Sequence, residues 1–175
     1  MVKIRLMTIN DWDGVARVWE NHEGTNPVDD SEEGFTRYLK RNPATSFVAV
    51  DGERIVGTIL AGHDGRRGIF HHVSIIPEYR KQGIGRMLVE SAVEALRKEG
   101  IQKVLLVVFN DNENGNQFWE HMGFTERTDL VYRNKYVKQG RTVFALSERI
   151  NFGRMISAPT EYSVMTERRG RCSLQ

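Results

Sequence analysis

The chain reads as an α+β domain: a mixed, mostly antiparallel, twisted sheet of six to seven strands flanked by helices. Three observations predict that class. Short β-rich runs separated by turn residues fill positions 47–75, around Asp51-Gly52-Glu53 and around Gly62 to Gly68. From Val73 to Gly100 an apolar strand passes through a basic turn with two glycines directly into a helix. Lys103 to Phe109 is then a nearly continuous apolar run, which predicts a strand buried on both faces.

The remaining elements follow in order. Lys3 to Met7 alternates charged and apolar residues and reads as an edge strand. Thr8 to Asp11 offers capping side chains to a helix carrying Val15, Val18 and Trp19. Asn21 to Ser31, polar and containing Gly24 and Pro27, is a loop. It leads to a helix with Phe35, Tyr38 and Leu39 that stops before Pro43. Phe47 to Val50 and Ile55 to Ala61 form a hairpin, and Ile69 to Ile75 is the strand that enters the glycine turn. Ile84, Leu88, Ala92 and Leu96 make the apolar stripe of the helix that follows; Arg97 and Lys98 suit its C-terminal end and Gly100 terminates it. After the polar turn Asn110 to Asn114, a helix carries Phe118, Trp119 and Met122 and ends at Gly123. Thr125 to Thr128 and Leu130 to Val137 complete the predicted sheet. The domain is thus 1–137, with a 138–175 extension of unassigned role; within it Val143 to Phe152 fits a strand or a short helix.

Composition narrows the function classes. A chain of 175 residues suits one domain. With 25 basic and 23 acidic residues, the net charge of +2 demands neither nucleic acid nor membrane. Arg168, Arg169 and Arg171 have no second basic cluster with aromatics beside them, so they read as a solvated tail. A single cysteine, Cys172, excludes an internal disulfide framework and fits a reducing compartment. The N-terminus has no apolar run long enough for a signal peptide or a span, so a soluble, cytoplasmic protein is expected. His63, His71 and His72 lack a matching ligand set, and no metal site is expected.

The turn Arg80-Lys81-Gln82-Gly83-Ile84-Gly85 carries the first chemical signal. Its glycines let the backbone curl and expose successive N–H groups at a helix N-terminus, while Arg80, Lys81 and Arg86 add positive charge. The predicted ligand carries phosphate. A P-loop would need Lys-Ser or Lys-Thr where Arg86-Met87 stand, and a dinucleotide fingerprint a small residue where Leu88 stands. Instead V-S-I-I-P-E-Y-R-K-Q-G-I-G-R-M-L resembles the acetyl-CoA signature of the GNAT superfamily of N-acetyltransferases. That signature is Gln or Arg, two residues, Gly, one residue, then Gly or Ala, after a strand and a proline. A second string, N-E-N-G-N-Q-F-W-E-H-M-G-F, resembles the family's later motif in spacing, with Asn112 at its asparagine, Gly123-Phe124 at its end, and Trp119 where tyrosine is usual. The resemblance covers about 3–137, and the hairpin from Gly62 to Gly68 is similar to one in small bacterial members of the YpeA type.

The resemblance implies a GNAT fold, acetyl-CoA as cosubstrate and direct transfer of its acetyl group to a primary amine of an unidentified small molecule, peptide or protein. It implies main-chain contacts from Val73, Ser74 and Ile75 to the pantetheine arm, in the manner of an added strand. The Ile75 backbone N–H is implied as oxyanion donor, near a bulge that splays the sheet. Arg80, Lys81, Gln82, Gly83, Ile84 and Gly85 would hold the pyrophosphate, with Asn112 and Trp119 on the other side of the arm. Asn112 equally fits a local cap, and Trp119 a space-filling role beside the coenzyme. Alternation puts His71 and His72 on opposite faces of their strand. By its distance from the glycine turn, His71 resembles a histidine that arylalkylamine acetyltransferases use as a base. Asp64-Gly65 is a turn former, and Arg67, a candidate substrate contact with Asp64, either pairs with Asp64 or clamps an acceptor carboxylate. The family tyrosine protonates the departing thiolate, which an indole cannot do. That departure supports an alternative, a non-catalytic acyl-CoA-binding regulatory module. The partners implied are acetyl-CoA and an amine acceptor, without nucleic acid or membrane, and with a homodimer as a candidate assembly.

Overall fold

The apolar alternation of the first half of the chain resolves into one sheet in a computed structural model that describes residues 1–20, 25, 26 and 29–137. Its five strands lie in chain order: β1 (Lys3–Leu6), β2 (Phe47–Asp51), β3 (Arg54–His63), β4 (Gly68–Ile75) and β5 (Val104–Leu105). The first four pair antiparallel, and β5 joins β4 in parallel. Helices α1 (Trp12–Trp19) and α2 (Glu32–Arg41) cover one face, where Val15, Trp19, Phe35 and Leu39 meet Val48 and Leu60. Helix α3 (Ile84–Lys98) packs on the other face through Leu88, Ala92 and Leu96 against Val56, Ile59 and Phe70. Helix α4 (Glu113–His121) lies on that same face, Trp119 stacking near Phe70.

Local chemistry explains the boundaries. Asp11 accepts hydrogen bonds from the Thr8 N–H at 2.7 Å and from both Arg5 guanidinium nitrogens at 2.8 and 2.7 Å, which fixes the turn into α1. Ser31 caps α2 by accepting from the Gly34 N–H at 3.1 Å. The predicted hairpin closes at Gly52-Glu53, with Gly52 at φ 60°.

Three expectations are corrected. The sheet has five strands among the described residues, where six to seven were expected: Thr125 to Thr128 and Leu130 to Val137 form no strand. The apolar side chains of the latter stretch stay exposed, from 57% at Tyr136 to 92% at Val137, so β-rich composition alone does not make a strand. Second, the Lys103 to Phe109 run pairs only at Val104–Leu105 and is not buried on both faces. As an edge it leaves Leu105 38% and Val107 65% exposed. Third, β4 carries its bulge at His72-Val73, ahead of Ile75, as developed below. Packing divides the chain into Met1–Thr128 and Asp129–Gln175, and every strand and helix above belongs to the first unit. The Val143 to Phe152 segment, the Arg168 to Arg171 cluster and Cys172 lie outside the described residues. Among the described residues no helix is long and apolar enough to cross a membrane.

Candidate active site

Two features of β4 build the site: a bulge in its middle and a free edge beyond its start. Thr58 pairs with Ser74 and Leu60 with His71, so two residues of β4, His72 and Val73, oppose the single Ile59 of β3. His72 takes the left-handed conformation, φ 46°, that this bulge type requires of its first residue. The extra residue corrects the expected alternation. His71 lies near Tyr38 of α2, ring centroids 5.9 Å apart, and His72 stacks on Trp19 of α1 at 4.3 Å. Both imidazoles therefore face α1 and α2, while Phe70, Val73 and Ile75 turn to the α3 face.

The free edge begins after Ile69, where pairing with β5 stops. The Ile76 N–H bonds to the Val56 carbonyl at 3.1 Å, so Ile75, one residue earlier, directs its N–H and C=O away from β3. Its carbonyl accepts from Arg80 Nε at 3.0 Å, tying the glycine turn to the strand end. In that turn Lys81 (φ 60°) and Gly83 (φ 79°) are both left-handed, and Gly83 opens α3 with no capping side chain and no acid in the first turn. The first amides of the 15-residue helix therefore have no intrahelical partner, and a Cβ at Gly83 would meet nothing within 4 Å. A bare, positively polarised helix end beside Arg80, Lys81 and Arg86 is suited to phosphate.

The other expected residues separate into main-chain and structural parts. Ser74 and Ile84 are buried, so only their backbones are offered; Gln82 Nε2 donates to the Glu78 carbonyl at 3.0 Å. A Cβ at Gly85 would touch the Phe118 ring at 3.4 Å, so this glycine serves the contact between α3 and α4. Asn112 caps α4, its Oδ1 accepting from the Gly115 N–H at 2.9 Å. Trp119 sits among Phe118, Phe124 and Phe70, with centroids 5.0, 5.0 and 6.3 Å away. Asp64 accepts from the Arg66 and Arg67 N–H groups, both at 2.8 Å, which holds its carboxyl below the ordinary value and closes the hairpin. These are backbone bonds; the Arg67 guanidinium makes no ion pair with Asp64.

Sequence reasoning missed three groups on the acceptor-facing side. Asp30 Oδ1 accepts from His72 Nε2 at 2.8 Å, and its other oxygen accepts from the Asn26 N–H at 2.6 Å. Burial opposes ionisation of Asp30, but these bonds outweigh it and keep the carboxyl below its ordinary value. The Tyr38 hydroxyl is buried without a hydrogen-bond partner among the described residues, and burial raises its pKa. Thr58 Oγ1 donates to the His72 carbonyl at 3.0 Å while accepting from Trp19 Nε1 at 3.0 Å. No local signal marks Asp30, whose partner is 42 positions away. His71 is exposed to solvent, with protein atoms packed around part of its ring. Burial pushes its imidazole below the ordinary histidine value and His72 adds to the fall, against the opposing pull of Asp30 and Asp29.

An open strand edge that leads to a bare helix N-terminus is suited to a cosubstrate with a phosphate end and an extended arm. Comparison with known proteins specifies which. The model of the Acetyltransferase (GNAT) family matches residues 15–124. An acetyltransferase of Photorhabdus laumondii is 31% identical over 126 residues, covering 72% of this chain and 88% of its own. Among solved structures, the PaiA N-acetyltransferase of Thermoplasma acidophilum in complex with coenzyme A superposes with a TM-score of 0.62 at 19% identity, over 71% of this chain and 90% of that one. The ribosomal-protein-S18-alanine N-acetyltransferase of Escherichia coli does so with 0.62 at 21%, over 73% and 80%. This chain belongs to the GNAT family of acetyltransferases, and acetyl-CoA is its cosubstrate.

Proposed function

We propose that the protein is an N-acetyltransferase that moves the acetyl group of acetyl-CoA directly to a primary amine, with His71 as the base. The observation that carries this reading is the arrangement of β4. One edge is open toward the bare end of α3, and the face toward α1 and α2 presents a solvent-reaching imidazole. The cosubstrate supplies an acetyl thioester, whose C–S bond breaks as the new C–N bond forms. Gly83 and the first amides of α3, with Arg80 and Lys81, hold the pyrophosphate. The main chain of Val73 to Ile75 receives the arm, and the Ile75 N–H serves the carbonyl oxygen. His71, favoured in its neutral form, accepts the proton that the amine loses. Two structural neighbours carry N-acetyltransferase names, which supports nitrogen as the acceptor atom. Trp119 fills the space between α4 and β4 and gives no proton to the leaving group, so the thiolate leaves unaided; a thiol pKa of about 8.5 permits that.

The test is thiol release from acetyl-CoA with a panel of primary amines, amino acids and peptides with free N-termini, for the wild type and His71→Ala. Amine-dependent release is expected. The His71→Ala rate should fall most at low and neutral pH and recover at high pH, where free amine is abundant. In the wild type the limb lost toward acid should centre below the ordinary histidine value, because His71 is active only when unprotonated. Tight coenzyme binding with no release from any amine would instead establish a binding module. A His71→Ala profile parallel to wild type would remove the base.

A further inference from the structure

The bulge of β4 contains a residue whose conformation works against it. His72 sits at φ 46°, which is uncommon for any residue with a Cβ, and only glycine adopts it without cost. The surroundings nevertheless hold it from three sides. Its ring lies on Trp19 at 4.3 Å with the planes 28° apart. Its carbonyl accepts from Thr58, itself bonded by the Trp19 indole. Its Nε2 donates to Asp30 at 2.8 Å, in a pair whose side chains are only 17% and 13% exposed, so water screens it weakly. Asp30 in turn is fastened to its own loop through the Asn26 N–H. Such strain, restrained by several partners, is typical of positions kept for function rather than for the fold.

The function can be read from what surrounds His71. The charged and titratable groups that face it are Asp29 and Asp30 from the loop before α2, Tyr38 from α2, and His72 from its own strand. Two carboxylates beside a half-enclosed imidazole favour its protonated form, which is useless as a base. We propose that His72 and Asp30 are a positioning pair for acetyl transfer. The imidazole of His72 engages the Asp30 carboxylate, docks the acceptor-side loop on the β4 bulge, and leaves His71 beside it free to serve the amine. The pair acts through His71 and rests on the reading of His71 as the base. Burial and the His72 charge both oppose protonation of His71, in the same direction as this role requires.

The experiment is a titration of the His71 ring by NMR in the free protein, wild type against His72→Asn, so that no acceptor need be known. Asparagine accepts the left-handed backbone, and the fold is expected to survive. The substitution removes the neighbouring imidazole and leaves Asp30 unmatched, and both changes stabilise a protonated His71. Its midpoint should move to higher pH. A midpoint that stays or falls in the folded variant overturns the proposal. If His72→Asn does not fold, His72→Gly, unstrained at this φ, gives the same comparison. The companion His71→Ala rate profile separates the two ideas. If that profile loses its acid limb while the His72→Asn midpoint is unmoved, the pair alone is refuted. If His71→Ala keeps the wild-type profile, the base reading fails and the pair's role falls with it.

Discussion

Replacing Gly83 by alanine tests the coenzyme turn with a matched control in the same helix. At φ 79° an alanine is strained, and because the added Cβ meets nothing within 4 Å, strain is its whole structural cost. That cost is about 1–2 kcal/mol, which lowers the melting temperature by roughly 3–6 °C in a domain of this size. Gly100 has the same φ of 79° and the same empty surroundings at the opposite end of α3, about 22 Å away by helix geometry. Gly100→Ala should therefore lose similar stability. Only the Gly83 methyl projects in front of the unpaired first amides of α3, where it keeps an anion at a distance. Hydrogen bonds to a charged group are worth about 1.5–3 kcal/mol, so weakening even one predicts at least a tenfold loss of affinity, about 1.4 kcal/mol. Melting curves and calorimetric titration with coenzyme A on the three proteins make the measurement. Equal affinity in folded Gly83→Ala and Gly100→Ala would refute the assignment of the turn.

Two further substitutions probe the faces of β4. Trp119→Tyr restores a phenol at the position of the family tyrosine but leaves a small void among Phe70, Phe118 and Phe124. It should cost on the order of 1 kcal/mol in stability while turnover at saturating acetyl-CoA stays the same or rises. A large fall in turnover with coenzyme affinity intact would show that the indole places the acceptor. Tyr38→Phe removes a buried hydroxyl that has no partner among the described residues, so the variant should melt at the same temperature or higher, gaining up to about 1 kcal/mol. A clear loss of stability would mean that the hydroxyl is bonded in the native protein.

The elements read correctly are those whose signals are local. The stripe Ile84, Leu88, Ala92, Leu96 depends only on spacing along one helix, and it appears as expected. Asn112 was legible in the same way, since its capping of α4 needs only Gly115 three residues on. Failures arise where the deciding partner is distant. The run Lys103 to Phe109 looks doubly buried because its residues are apolar, but burial depends on what lies beyond the sheet edge, and β5 pairs only at Val104–Leu105. Asp30 gave no signal because its contact is with His72, in a strand that is the fourth element after it. That a glycine turn opens α3 directly was legible from residue type alone. That Gly85 packs on Phe118 needed the position of α4.

Under the proposed function, the bulge is what lets one strand serve two substrates. In a regular antiparallel strand, each step along the chain reverses both the face of the side chain and the edge of the amide. From His71 to Ile75 there are four steps, so an unbroken β4 would put both side chains on the α1 and α2 face and turn both amides toward β3. The Ile75 N–H would then be consumed in the ladder, and Ile75 would leave the core it shares with Gly57 and Leu88. The extra residue at His72-Val73 shifts the count by one. His71 keeps its place beside Tyr38, Ile75 packs against α3, and the Ile75 N–H faces the edge where β5 has departed. The strained φ of His72 is thus the local cost of uncoupling the acceptor face of β4 from its coenzyme edge, and Asp30, Thr58 and Trp19 are the side chains that offset it.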